Sequence, residues 1–113
     1  MLPRENRIIS DYEFRRVRRE GFRYGSPFFG LFVLNVKQGP ARFGFVVGVR
    51  VSPFAVQRNR IKRILRAEVF RLLPQIRSGL WVVFWVRETA RQADPKIFRR
   101  FVQEALQKAK ALS

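Results

Sequence analysis

Residues 56–71 read VQRNRIKRILRAEVFR, and the fold and the chemistry of the chain are both read outward from this stretch. Advanced at about 100° per residue as a helix, it places Asn59, Lys62, Arg63 and Arg66 on one face at spacing i, i+3, i+4, i+7. Ile61, Ile64, Leu65 and Leu72 fall on the other side. One side is suited to a core and the other offers three cations and an amide to an anion. A solvated helix gains stability by alternating charges at i,i+4. Here Glu68 is the only acid in the segment, so the cations call for a polyanion outside the helix.

The balance of the whole chain points the same way. Lys and Arg number 24 against 8 Asp and Glu, a net charge of +16 over 113 residues. Solubility of a small domain asks for a magnitude of roughly 2–8, and the excess costs stability through self-repulsion. Charge and pattern together predict nucleic-acid binding. With 47% hydrophobic residues and 12 Phe the chain can bury a core, so it is no disordered basic tail. The length predicts a single domain over 1–113. The longest apolar run, Leu80 to Val86, is strand-length and falls short of the roughly 20 residues of a membrane span. The N-terminal MLPRENRIIS lacks an apolar signal core, so a cytoplasmic protein is expected, with no membrane partner.

Neither Cys nor His occurs. Disulfides, thiolate or imidazole metal sites, and histidine acid–base or nucleophilic schemes are therefore excluded. The acids Glu5, Asp11, Glu13, Glu20, Glu68, Glu88, Asp94 and Glu104 are scattered, with no convergent set for a two-metal nuclease. No catalytic residue and no protein-bound metal or cofactor is expected.

Ser10-Asp11-Tyr12-Glu13 is a capping box, and the helix it opens turns Phe14 and Val17 inward and ends at Gly21. Phe28 to Lys37 reads as a strand, Gln38-Gly39-Pro40 as a turn and Arg42 to Arg50 as a second strand, which suggests a hairpin. Gly44 and Gly48 suggest a bulge or a close approach. Ser52-Pro53 predicts an N-cap followed by Pro at the first helical position, with the helix stopped by Pro74. Leu80 to Arg87 suits a strand buried on both faces. Asp94-Pro95 opens a last helix with Ile97, Phe98, Phe101, Val102, Ala105, Leu106 and Ala109 on its apolar side. A short strand near Phe22–Tyr24 completes an α-β-β-(β)-α-β-α order. The expected class is α+β, with helices packed on a mixed, mostly antiparallel sheet.

Arg58-Asn59-Arg60-Ile61-Lys62-Arg63-Ile64-Leu65-Arg66 resembles the signature helix of the bacterial ribonuclease P protein family, an Arg-Asn-Arg-x-x-Lys-Arg-x-x-Arg pattern. The early Asn6–Ile8, then Phe14, Val17 and Gly21, the Phe-rich strand and the Gly-x-x-x-Gly-like strand follow in matching order. The resemblance covers nearly the whole chain. It implies a four-stranded, ribosomal-protein-like α/β sandwich with a left-handed βαβ crossover, against the right-handed default. It also implies a subunit that is itself noncatalytic. Its partners would be a catalytic RNA and precursor tRNA, whose 5′ leader the RNA removes by Mg²⁺-dependent hydrolysis.

By that resemblance Arg58, Asn59, Arg60, Lys62, Arg63 and Arg66 would contact the catalytic RNA. Phe14, Phe29 and Phe32, with Arg18 and Arg50, would line a cleft for the single-stranded leader. Arg58 lies nearer the apolar side, where it could instead serve the fold. Arg50-Val51-Ser52-Pro53 replaces the family's common Lys-Lys-x-Gly-type segment, and Arg18 stands where an aromatic is frequent. The alternative reading is a ribosomal or general RNA-binding protein of the same fold; a protein nuclease is disfavoured by the missing His and the dispersed acids.

Overall fold

The computed structural model describes residues 2–112. Three helices, α1 (Asp11–Glu20), α2 (Ala55–Leu72) and α3 (Pro95–Lys108), pack on strands β1 (Phe22–Gly25), β2 (Phe29–Asn35), β3 (Arg42–Val46) and β4 (Leu80–Val86). The sheet order is β1-β2-β4-β3. β1 pairs antiparallel with β2, β2 antiparallel with β4, and β3 parallel with β4. The chain is thus α+β with a mixed sheet, as its order of elements predicts.

The expected β2–β3 hairpin does not form. The two strands stand apart, and β4 fills the slot between them, pairing Phe32 with Val83 on one side and Gly44 with Val83 on the other. The physical reason is burial. LWVVFWV has no polar position to give to solvent, and an interior strand has both edges paired, α2 and α3 over one face and α1 over part of the other. The turn between β2 and β3 is real but wide, and it crosses the start of β4. The Gly79 N–H donates to Gly39 O at 2.8 Å, and Gly79 O accepts from Val36 N–H at 2.8 Å. Gly79 holds φ +77, and a Cβ there would lie 3.0 Å from Lys37 C, so only glycine suits this crossing.

Strand parity divides the side chains between two layers. Phe29, Leu31, Phe43, Val82 and Phe84 face α2 and α3, where Leu65, Val69, Phe98, Val102 and Leu106 close the main core. Val83, with half-buried Phe32, Leu34, Val46, Trp81 and Trp85, faces α1, which contributes Val17 and Phe14. The main core is covered by helices of 18 and 14 residues. The second face is covered by only ten, too few to close it.

The capping box forms as read. Glu13 N–H donates to Ser10 Oγ, while Glu13 Oε1 accepts from Ser10 N–H. Gly21 ends α1 with φ −79, so handedness is not its reason. A Cβ at Gly21 would lie 2.5 Å from Val17 O and 2.8 Å from Val33 O, and glycine lets the helix end press onto β2. Gly44 is a close approach of another kind, since a Cβ there would meet the Phe14 ring at 2.4 Å. Gly48 lies beyond β3, with open space where a Cβ would stand, so it marks neither a bulge nor a close approach.

α2 begins two residues later than the Ser-Pro signal predicts. Its N-cap is Phe54, with no side-chain cap. Ser52 is instead buried in the preceding turn, where its Oγ accepts from Phe54 N–H at 3.1 Å. α3 starts at Pro95 with Asp94 capping Lys96 N–H at 2.8 Å, but Ile97, expected inward, is exposed.

Candidate RNA interface

On α2, Ile61, Leu65, Val69 and Leu72 are buried in the main core, which turns Asn59, Lys62, Arg63 and Arg66 outward by helical geometry. None of these four side chains makes a hydrogen bond or ion pair with another described residue. The ion pairs lie elsewhere: Arg16 and Arg19 with Glu20, Arg42 with Glu13, and Arg71 with Glu68. Glu68, the one acid of the helix, is buried and held bidentately by Arg71 at 3.0 and 2.7 Å. That contact raises Arg71 above its ordinary value, first through the hydrogen bond and then through charge attraction. Glu68 is therefore committed to Arg71, and the cationic stripe has no counterion among the described residues. Phe70, 46% exposed, continues this face by one turn.

Arg58 behaves as its position near the apolar side suggests. Its Nη1 donates to Ser52 O at 2.9 Å, pinning the turn before α2. Arg60 points about 100° around the helix from Asn59 and lines a notch toward the segment Glu88–Gln92.

The second face of the sheet carries a groove. One cavity of about 440 Å³ is lined by Phe14, Arg15, Arg18, Val46 and Trp85 among others. A second, of about 250 Å³, lies between Arg18, Arg23, Phe32, Trp85 and Arg87. A third, of about 550 Å³, opens between the ends of β3 and β4, with Arg50 and Arg87 on its walls. Trp85 lines all three, so the cavities are neighbours around one indole. Five arginines, at 15, 18, 23, 50 and 87, face two acids, Asp11 and Glu88. Positive walls with apolar, aromatic floors attract a phosphate backbone while leaving rings for bases.

Of the five residues expected at a leader cleft, Phe14 and Arg18 line the first cavity, Arg18 and Phe32 the second, and Arg50 the third. Phe29 is not among them. It is 0% exposed, on the opposite face, 5.2 Å from Phe84 and 6.0 Å from Phe98 between ring centroids. Its expected cleft role is corrected to a core one. The reason is parity, because residues three apart on a strand point to opposite faces. Sequence reasoning also passed over Trp85, Arg15, Arg23 and Arg87. A period-2 reading of LWVVFWV would have put Trp81, Val83 and Trp85 on one face.

Arg42, reaching across from β3, donates to Glu13 Oε2 at 3.1 Å and lies 5.9 Å from the Trp81 ring centroid. Arg16 approaches the same indole at 5.5 Å. Burial alone would raise the Glu13 carboxyl. The Ile9 and Ser10 N–H groups, the Ser10 hydroxyl and the Arg42 charge outweigh it and hold Glu13 below its ordinary 4.5. These contacts fix the start of α1, and with it the groove wall. Among the described residues, no three Asp or Glu side chains gather to hold a metal ion. No helix among them is long and apolar enough to cross a membrane.

Comparison with known proteins agrees over nearly the full chain. The family model described as Ribonuclease P matches residues 2–110. The chain is 36% identical to the ribonuclease P protein component of Pseudanabaena sp. (strain PCC 6903), over 99% of this chain and 97% of that one. It is 35% identical to the protein of the same name from Lactobacillus gasseri, over 99% and 93%. Its fold superposes on the Staphylococcus aureus RNase P protein with a TM-score of 0.88 at 23% identity, covering 96% of this chain and 98% of that one. The Thermotoga maritima RNase P protein gives 0.81 at 22%, covering 90% and 96%. With its signature helix, its mixed sheet and relatives matched end to end, the chain belongs to the ribonuclease P protein family.

Proposed function

We propose that this protein is the noncatalytic subunit of a ribonuclease P holoenzyme. It binds the catalytic RNA through the Asn59, Lys62, Arg63 and Arg66 face of α2. It holds the single-stranded 5′ leader of precursor tRNA in the groove between α1 and the sheet. The observation that carries this reading is the α2 stripe, whose cations pair with no other described residue while the helix's one acid is consumed by Arg71. A folded domain bears such a cost when an external polyanion offsets it.

The hydrolysis belongs to the RNA, with Mg²⁺ supplied there. This chain's part is to lower the repulsion between RNA and substrate and to position the leader. Stacking on rings tolerates any base, which suits a substrate class whose leaders differ in sequence.

The test is the salt dependence of affinity for the catalytic RNA. Each phosphate contact contributes a log–log slope of about −0.7 to −0.9. Arg63→Ala and Arg66→Ala are expected to weaken binding and flatten the slope by about that much each, with unchanged melting temperature. Unchanged affinity and slope in both would place the RNA surface elsewhere.

A further inference from the structure

Arg60 is the signature residue that the α2 stripe leaves unexplained. It points about 60° away from Arg63 and further from Arg66, and neither the core nor the stripe uses it. The structure instead sets it in a narrow notch of about 70 Å³ between α2 and the segment Glu88–Gln92, which Arg91 of that segment also lines. We propose that this notch binds one phosphoryl group of the RNA backbone, gripped by Arg60 and Arg91 from two sides with Gln57 as a neutral donor.

Four features support the assignment. No Asp or Glu lines the notch. Neither arginine makes a hydrogen bond or ion pair with another described residue, and two guanidiniums on one cleft repel until an anion sits between them. The rest of the lining is apolar, Ile61, Ile64, Ala90, Ala93 and Pro95, and a low-dielectric wall strengthens the attraction. No aromatic ring is present, and the volume is a fraction of the groove's 440 and 550 Å³ cavities. The notch suits a small tetrahedral oxyanion rather than a base, and guanidinium forks match its oxygens.

The shared chemistry is a phosphoryl oxyanion, which could be an RNA phosphate or free phosphate. The RNA assignment rests on the reading of α2 above, and the two are tested separately. In the first arm the full chain is titrated with inorganic phosphate, and the Nε–Hε signals of its arginines are followed by NMR. Arg60 and Arg91 are expected to shift with one common midpoint, and Arg91→Gln to abolish the Arg60 response. Separate midpoints, or an Arg60 response that survives Arg91→Gln, would overturn the site.

In the second arm the catalytic RNA is bound at several salt concentrations. Arg91→Gln should flatten the slope by about 0.7–0.9 at unchanged melting temperature. Arg91→Lys, which keeps the charge and loses the fork, should restore most of the slope. An unchanged slope beside an intact phosphate response would give the notch to a free anion and overturn the RNA assignment. Failure of Arg63→Ala to affect RNA binding would sink the α2 reading and leave the phosphate arm standing.

Discussion

The Arg18 guanidinium lies 4.6 Å from the centroid of the Trp85 ring, so a cation from α1 covers an indole from the centre of the sheet. Such a pair is worth about 0.5–1 kcal/mol at an exposed site, little enough for a nucleobase to displace it. A base arriving on Trp85 would take the ring while Arg18 turns to a flanking phosphate. Arg18 stands where the resemblance leads one to expect an aromatic, and Trp85 on β4 sets a ring beside it.

Trp85→Leu, which keeps an apolar side chain against Val46 and Phe32, should reduce the preference for leader-bearing over mature tRNA. Loss of one base stack of about 1–3 kcal/mol corresponds to roughly 5- to 150-fold. Mature tRNA affinity should hold. An equal fall in both affinities, with a lower melting temperature, would make Trp85 a core residue.

Phe29 and Phe32 should separate cleanly. Phe29→Ala is expected to cost about 3–5 kcal/mol of stability, read in denaturant unfolding, with the leader preference of the folded fraction unchanged. Phe32→Ala should lower the leader preference at a smaller stability cost. The reverse ranking would contradict the assignment of the two sheet faces.

Gly44→Ala should destabilise by about 1–3 kcal/mol, because the new methyl meets the Phe14 ring at 2.4 Å. Phe14→Leu in the same chain should recover part of that loss, and the double-mutant cycle reads the coupling. Additive effects would show that the ring moves freely out of the way.

Glu13 links the start of α1 to acid stability. Its folded value lies below the ordinary 4.5, so its contribution is present above that value and is lost as pH falls through the folded one. The stability difference between wild type and Glu13→Gln should be constant near neutrality and shrink below pH 4.5. A difference that stays flat into acid would remove the Arg42 and N–H contacts as its source.

The parts of this fold that are legible in sequence are local. Ser10 with Glu13, Asp94 with Pro95, and the helical spacing of Ile61, Leu65 and Leu72 each act within a few residues and are written there. What pairs with β4 is not local. β2 and β3 each reach it across long separations, and a turn at Gln38–Pro40 is compatible with a hairpin or with a slot. The α2 stripe was readable because its periodicity and missing acids are sequence facts. The groove was half readable. Its arginines come from α1, β1, the turn after β3 and the end of β4, and only the sheet order gathers them around Trp85. The resemblance puts Phe29 in the cleft, whereas its spacing of three from Phe32 places the two on opposite faces and Phe29 in the core.

A reconstituted cleavage reaction decides whether this protein is the noncatalytic subunit. Catalytic RNA, precursor tRNA and this protein are combined at low Mg²⁺, beside RNA-only and protein-only controls, and the cleavage site is mapped. The complex should remove the 5′ leader accurately, RNA alone should react far more slowly, and protein alone should not cleave. Equal rates with and without the protein, or cleavage by RNA-free protein that tracks it through purification, would contradict it.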